Sequence, residues 1–175
     1  MKIGIILGSL REGASGDSVA KWVVEQASSR DAATYELVTL RDFDVPLLTS
    51  ATVPGAAKKQ YDDERVTRWS RAIDSYDAYV FVTPEYNHGV PAALKNAFDV
   101  LYPEWAHKCI AFVGYGAESG VRAVEPMPGR PLQPAGRPAS VARPVAPDSL
   151  PRLSDERPPV PAGLGALDRQ PVRPG

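Results

Sequence analysis

Up to about residue 125, apolar residues fall along the chain in two alternating kinds of run. Residues 2–7 (KIGIIL), 35–40 (YELVTL), 78–83 (AYVFVT) and 107–113 (HKCIAFV) are short and rich in β-branched or aromatic residues. They predict four strands, and the first and third are apolar at successive positions, as strands covered on both faces should be. Between them apolar positions recur at helical spacing: Val19, Ala20, Val23, Val24 and Ala27; then Val66, Trp69, Ile73 and Tyr76; then Leu94, Ala97, Phe98 and Leu101. These predict helices from near Asp17, over 63–75, and after Pro91, whose fixed φ suits a first helical turn. Strands that alternate with helices predict an α/β domain with a parallel sheet.

Three strand-to-helix loops carry the candidate chemistry. Residues 8–16 (GSLREGASG) form a glycine-rich turn ahead of a helix, where unpaired N–H groups, the hydroxyls of Ser9 and Ser15 and the guanidinium of Arg11 suit an anion such as phosphate. The same kind of turn also serves as plain connection. In residues 84–89 (PEYNHG), Pro84 biases the chain to leave the sheet, and Asn87 and Gly89 supply turn chemistry. Residues 114–120 (GYGAESG) approach a dinucleotide fingerprint but fail it: the third glycine comes one residue late.

The run 83–97 (TPEYNHGVPAALKNA) resembles the flavin-binding segment of the NADPH-dependent FMN reductase family, which includes chromate, quinone and azo reductases, and the likeness extends from Met1 to about Glu125. The resemblance implies a flavodoxin-like doubly wound sheet of order 2-1-3-4-5, non-covalently bound FMN, and NADPH or NADH as electron donor. It also implies a small-molecule acceptor (a quinone, azo compound, metal oxyanion or flavin) and a homodimer or homotetramer. In that strand order the three loops line one crevice at the switch point. Ser9, Arg11, Ser15 and Gly16 would then meet the phosphate, Pro84, Glu85, Tyr86 and Asn87 the ring, and Tyr115 and Gly116 would form the far wall. The family's Gly-Ser-any-Arg opening is present at 8–11, whereas Ala14 stands where many relatives have serine and Gly16 where they have asparagine. No catalytic side chain is implied, because the cofactor carries the redox chemistry. A flavodoxin-like electron carrier that works without NAD(P)H is the competing reading, and an inactive copy is a third.

Composition divides the chain. Of 18 prolines, five precede residue 126 and 13 lie in the last 50 residues. The charge balance is 13 Lys and Arg against 17 Asp and Glu through residue 125, then seven Arg against four acids, so neither part has a nucleic-acid footprint. Residues 126–175 contain no Lys, Ile, Asn, Phe, Tyr, Trp, His, Thr or Cys, and prolines interrupt nearly every window long enough for a strand or helix. They predict a disordered Pro/Arg-rich tail that leaves the FMN-binding domain, 1–125, without its last strand and helix. A frameshift near codon 126 in a GC-rich gene accounts for that composition, and a natural proline-rich tail is the alternative. Cys109, the single cysteine, excludes an internal disulfide, and its apolar neighbours predict a buried thiol. No run approaches a membrane-spanning length and 3–7 is too short for a signal-peptide core, so a soluble, cytoplasmic chain is expected. His88 and His107 lack a metal-ligand spacing, and the acidic run 62–64 fits a helix start rather than a metal site.

Overall fold

The computed structural model describes residues 1–117 and 119–127. Residues 128–175, on which the expected disorder, the fifth strand and the last helix bear, lie outside the described residues. Pro126 and Met127 are within them: Met127 is buried and its N–H donates to the Val124 carbonyl at 3.0 Å.

Four strands form the sheet: β1 (Lys2–Leu7), β2 (Thr34–Thr39), β3 (Ala78–Pro84) and β4 (Cys109–Tyr115). All pair in parallel in the order β2-β1-β3-β4, which is the flavodoxin-like order over the strands described. The connecting helices are α1 (Gly16–Ser28), α2 (Glu64–Asp74), α3 (Ala92–Asp99) and the short α4 (Val121–Val124), with 3-10 turns at Leu40–Asp42 and Pro103–Trp105. Among these, no helix is long and apolar enough to cross a membrane.

The continuous apolar runs of the central strands serve two cores. Ile6, Tyr79, Phe81, Ile110 and Phe112 point into one, with Trp69 and Ile73 of α2, Leu94 and Phe98 of α3, and Trp105. Ile5, Leu7, Val82 and Val113 point into the other, against Val19, Ala20 and Val23 of α1. Side chains alternate across a strand, so adjacent apolar residues are divided between the two faces. Asp63 starts α2 by accepting from the Arg65 N–H at 2.7 Å, as a capping carboxylate does. Two carbonyls in the last turn of α3 have indole partners: Trp69 Nε1 donates to Ala97 O at 2.8 Å and Trp105 Nε1 to Phe98 O at 3.0 Å.

Several boundaries differ from the expected ones. Pro84 stays in β3 as its last residue, in register with Tyr115; a proline is tolerated there because the following Glu85 N–H supplies the bond, to Tyr115 O at 2.9 Å. Pro91 is the N-cap of α3 with ψ 138°, one residue before the helix. His107, with φ 62°, lies in the turn before β4, which starts at Cys109. Cys109 is exposed, not buried, because the inward alternation of β4 begins at Ile110.

Candidate functional site

The C-terminal ends of β1, β3 and β4 lie side by side, so the loops that follow them converge. Gly8 N donates to Val82 O at 2.9 Å as the first loop leaves the sheet, and a Cβ at Gly8 would come within 2.5 Å of the Leu94 side chain. Any side chain there would have to displace Leu94, so glycine lets this loop pass close to α3. Beyond it, Ser9 is buried, its Oγ accepts from the Arg11 N–H at 3.3 Å, and the same Oγ lies 3.2 Å from the Tyr86 hydroxyl. The Tyr86 side chain thus spans from the second loop back to the first.

Tyr86 and Gly89 exchange both backbone bonds, at 2.8 and 3.0 Å, around Asn87 and His88 with φ of 49° and 64°. Two consecutive residues with positive φ make this a tight type I′ reversal without a glycine at either central position. His88 Nε2 meets Arg122 at 2.8 Å, which joins the tip of the reversal to α4. In the third loop Gly116 has φ 153°, and a Cβ there would lie 3.2 Å from that of Glu85. Gly120 is left-handed, φ 72°, and a Cβ would approach Tyr115 N to 2.5 Å, so the chain folds back tightly onto the end of β4.

A cavity of about 160 Å³ lies between the three loops, lined by Arg11, Ala14, Ser15, Pro84, Glu85, Tyr86, Tyr115 and Gly116. Ser9 adjoins it through the Tyr86 hydroxyl, and Gly16 through Tyr115. Nine of the ten expected residues thus gather around one crevice. Asn87 does not: it borders a separate, more apolar cavity of about 530 Å³ with Val90, Ala92, Lys95 and Met127. Ala14 lines the crevice and was marked in the sequence only as a departure from the family pattern.

The first turn of α1 faces this crevice without a side-chain cap; Ser15 is the N-cap residue, but its hydroxyl makes no capping bond. Its N–H groups are left for another acceptor. Asp17, in the same turn, is ion-paired with Arg41, which offsets its charge. Two polar atoms in the crevice are shielded from solvent and have no hydrogen-bond partner among the described residues: Glu85 Oε2 and Tyr115 Oη. Burial pushes the Tyr115 hydroxyl up to about 12, helped by Tyr86 and Asp17, so at neutral pH it is an uncharged O–H. The crevice therefore offers donors to an anion and a Glu85 side-chain oxygen to a hydroxyl or N–H. A larger cavity, about 270 Å³, between the 46–61 loop and the start of α2 has no such set, and the N-terminus of α2 is already capped by Asp63.

A family profile described as NADPH-dependent FMN reductase matches residues 1–127. The chain belongs to that family. An NAD(P)H-dependent FMN reductase from Nectria sp is 42% identical over 126 residues, covering 70% of this chain and 63% of the relative. The chain thus spans rather less than two thirds of that relative's length. A quinone reductase from Pseudomonas putida is 35% identical over 136 residues, covering 69% of this chain and 67% of its own. Among solved structures, the FerB flavoenzyme NAD(P)H:(acceptor) oxidoreductase of Paracoccus denitrificans is similar with a TM-score of 0.56 and 26% identity, over 70% of this chain and 65% of that one.

Proposed function

We propose that this chain binds FMN non-covalently at the C-terminal edge of the sheet and works as an NAD(P)H-dependent reductase of a small acceptor. The observation that carries the reading is the pair of crevice atoms without a partner among the described residues, Tyr115 Oη beside the uncapped start of α1, and Glu85 Oε2. A polyol phosphate answers both, with phosphate oxygens for the donors and chain hydroxyls for the carboxylate, and FMN carries such a chain. FMN bound there would supply the redox chemistry between a nicotinamide and a second substrate.

The protein's own part is to bind, orient and leave access. Ser9, Arg11, Ser15 and the α1 N–H groups hold the phosphate end; Pro84, Glu85 and the 86–89 reversal set the ring end, with Tyr86 beside it; Tyr115 and Gly116 close the far wall. The acceptor is a quinone, azo compound, metal oxyanion or flavin, and the donor NADPH or NADH. We also infer a homodimer or homotetramer in the cytoplasm. Tyr86 is 38% exposed and the neighbouring cavity along α3 is apolar, which suits a contact between copies.

Purified protein should carry or take up FMN with the visible absorption of a bound flavin, and it should oxidise NADPH or NADH when a quinone is added. Flavin binding without nicotinamide oxidation would identify an electron carrier instead. No flavin binding by folded protein would overturn the proposal.

A further inference from the structure

Gly16 begins α1 at a place where a side chain would enter the crevice. A Cβ built there would lie 2.5 Å from Tyr115 Oη and 3.0 Å from Leu7 Cδ1, so the space a side chain would use is already filled by the tyrosine hydroxyl. The two residues exclude each other: only a glycine at 16 lets Tyr115 reach in from the end of β4. The hydroxyls of Ser9 and Tyr86 are 3.2 Å apart and satisfy one another, whereas Tyr115 Oη is withdrawn from solvent with no partner among the described residues. Buried polar groups in folded proteins are nearly always paired, so an orphaned hydroxyl at an uncapped helix start points to a ligand atom.

We propose that Tyr115 is a phosphate-positioning residue, its hydroxyl reaching into the space left by Gly16 to donate a hydrogen bond to the phosphate of bound FMN. This rests on the flavin reading above. The donor that a side chain at the first position of α1 would supply comes instead from β4, across β3. Glycine at 16 and tyrosine at 115 then form one functional unit, and neither is replaceable alone.

The test is calorimetric titration of the full chain with FMN and with riboflavin, which lacks the phosphate. Tyr115→Phe should weaken FMN by roughly ten- to a hundredfold, the range of a hydrogen bond to a charged group, and leave riboflavin nearly unchanged. Gly16→Ser alone should crowd the hydroxyl out and cost FMN affinity. Added to Tyr115→Phe, it should restore much of the loss by supplying a hydroxyl from the helix. Thermal melts check that each variant is folded, and if Tyr115→Phe is not, Gly16→Ala gives the same comparison by displacing the hydroxyl. Equal losses for the two flavins, or no loss for either, would overturn the assignment while leaving FMN binding intact. An unaltered, folded chain that binds neither flavin would overturn the flavin reading and this inference with it.

Discussion

Glu104 is fully buried, and its carboxylate is met by three donors: the Tyr61 hydroxyl at 2.8 Å and the Ser70 hydroxyl at 2.6 Å on Oε1, and the Tyr102 N–H at 3.2 Å on Oε2. It joins α2, the 46–61 loop and the turn after α3 through one side chain. In Glu104→Gln the amide oxygen keeps both hydroxyls, but its NH2 then faces the Tyr102 N–H, which loses one bond and opposes two donors. The expected cost is roughly 1 to 3 kcal/mol. Glu104→Ala leaves all three donors without the carboxylate and opens a void. The hydroxyls can turn to other partners, so the terms do not add in full, and we expect about 3 to 5 kcal/mol. Against a total of about 5 to 15 kcal/mol, the alanine variant should lose roughly a third or more of the stability of a domain in the lower half of that range. Urea unfolding followed by circular dichroism gives the difference directly; with a slope of roughly 1 to 3 kcal/mol per molar, the glutamine variant should shift the midpoint by about 1 M. A midpoint unchanged by Gln, or an Ala variant no worse than Gln, would refute the view that these donors depend on the carboxylate.

Two further outcomes are expected. Arg11→Ala should weaken FMN about ten- to a hundredfold, and riboflavin much less, because only FMN offers a phosphate to the guanidinium; equilibrium dialysis with equal losses for both would remove Arg11 from the phosphate end. The Asp63 carboxyl is held below its ordinary 3.8, at about 2, by the side chain and N–H of Arg65. Its contribution to stability is complete above pH 3.8 and is lost as pH falls through about 2, so Asp63→Asn should melt with a flatter pH dependence over that interval; parallel curves for the two proteins would refute it.

Much of the scaffold was legible because its strands bury both faces and its helices one. The runs 2–7 and 78–83 needed only their successive apolar residues to be placed at the centre of the sheet. Boundaries failed where a single torsion decides them: His107, the start of the fourth strand by its apolar run, has a left-handed backbone, and the strand begins two residues later. Cys109 escapes the pattern because its apolar neighbours say nothing of which way the first residue of β4 points. Glu104 gave no signal at all, because a carboxylate reads as surface until three donors from separate segments are seen around it. At the crevice, the three loops were legible through the family likeness and the strand order. The exchange of Tyr115 for a side chain at 16 was not, because a glycine in a loop shows only that a side chain is missing and not what fills its space.

The indoles that satisfy the end of α3 have an optical consequence. Trp69 and Trp105 sit dry in the core on one side of the sheet, each tied to a carbonyl, while Trp22, the third tryptophan of the chain, is only part-buried against the α1 core on the other. Dry indoles emit further to the blue than wetted ones. Loosening of α3 would send the blue component of the emission to the red, and movement of α1 would act on the red component alone. The chain thus carries its own colour code for which side of the sheet has opened.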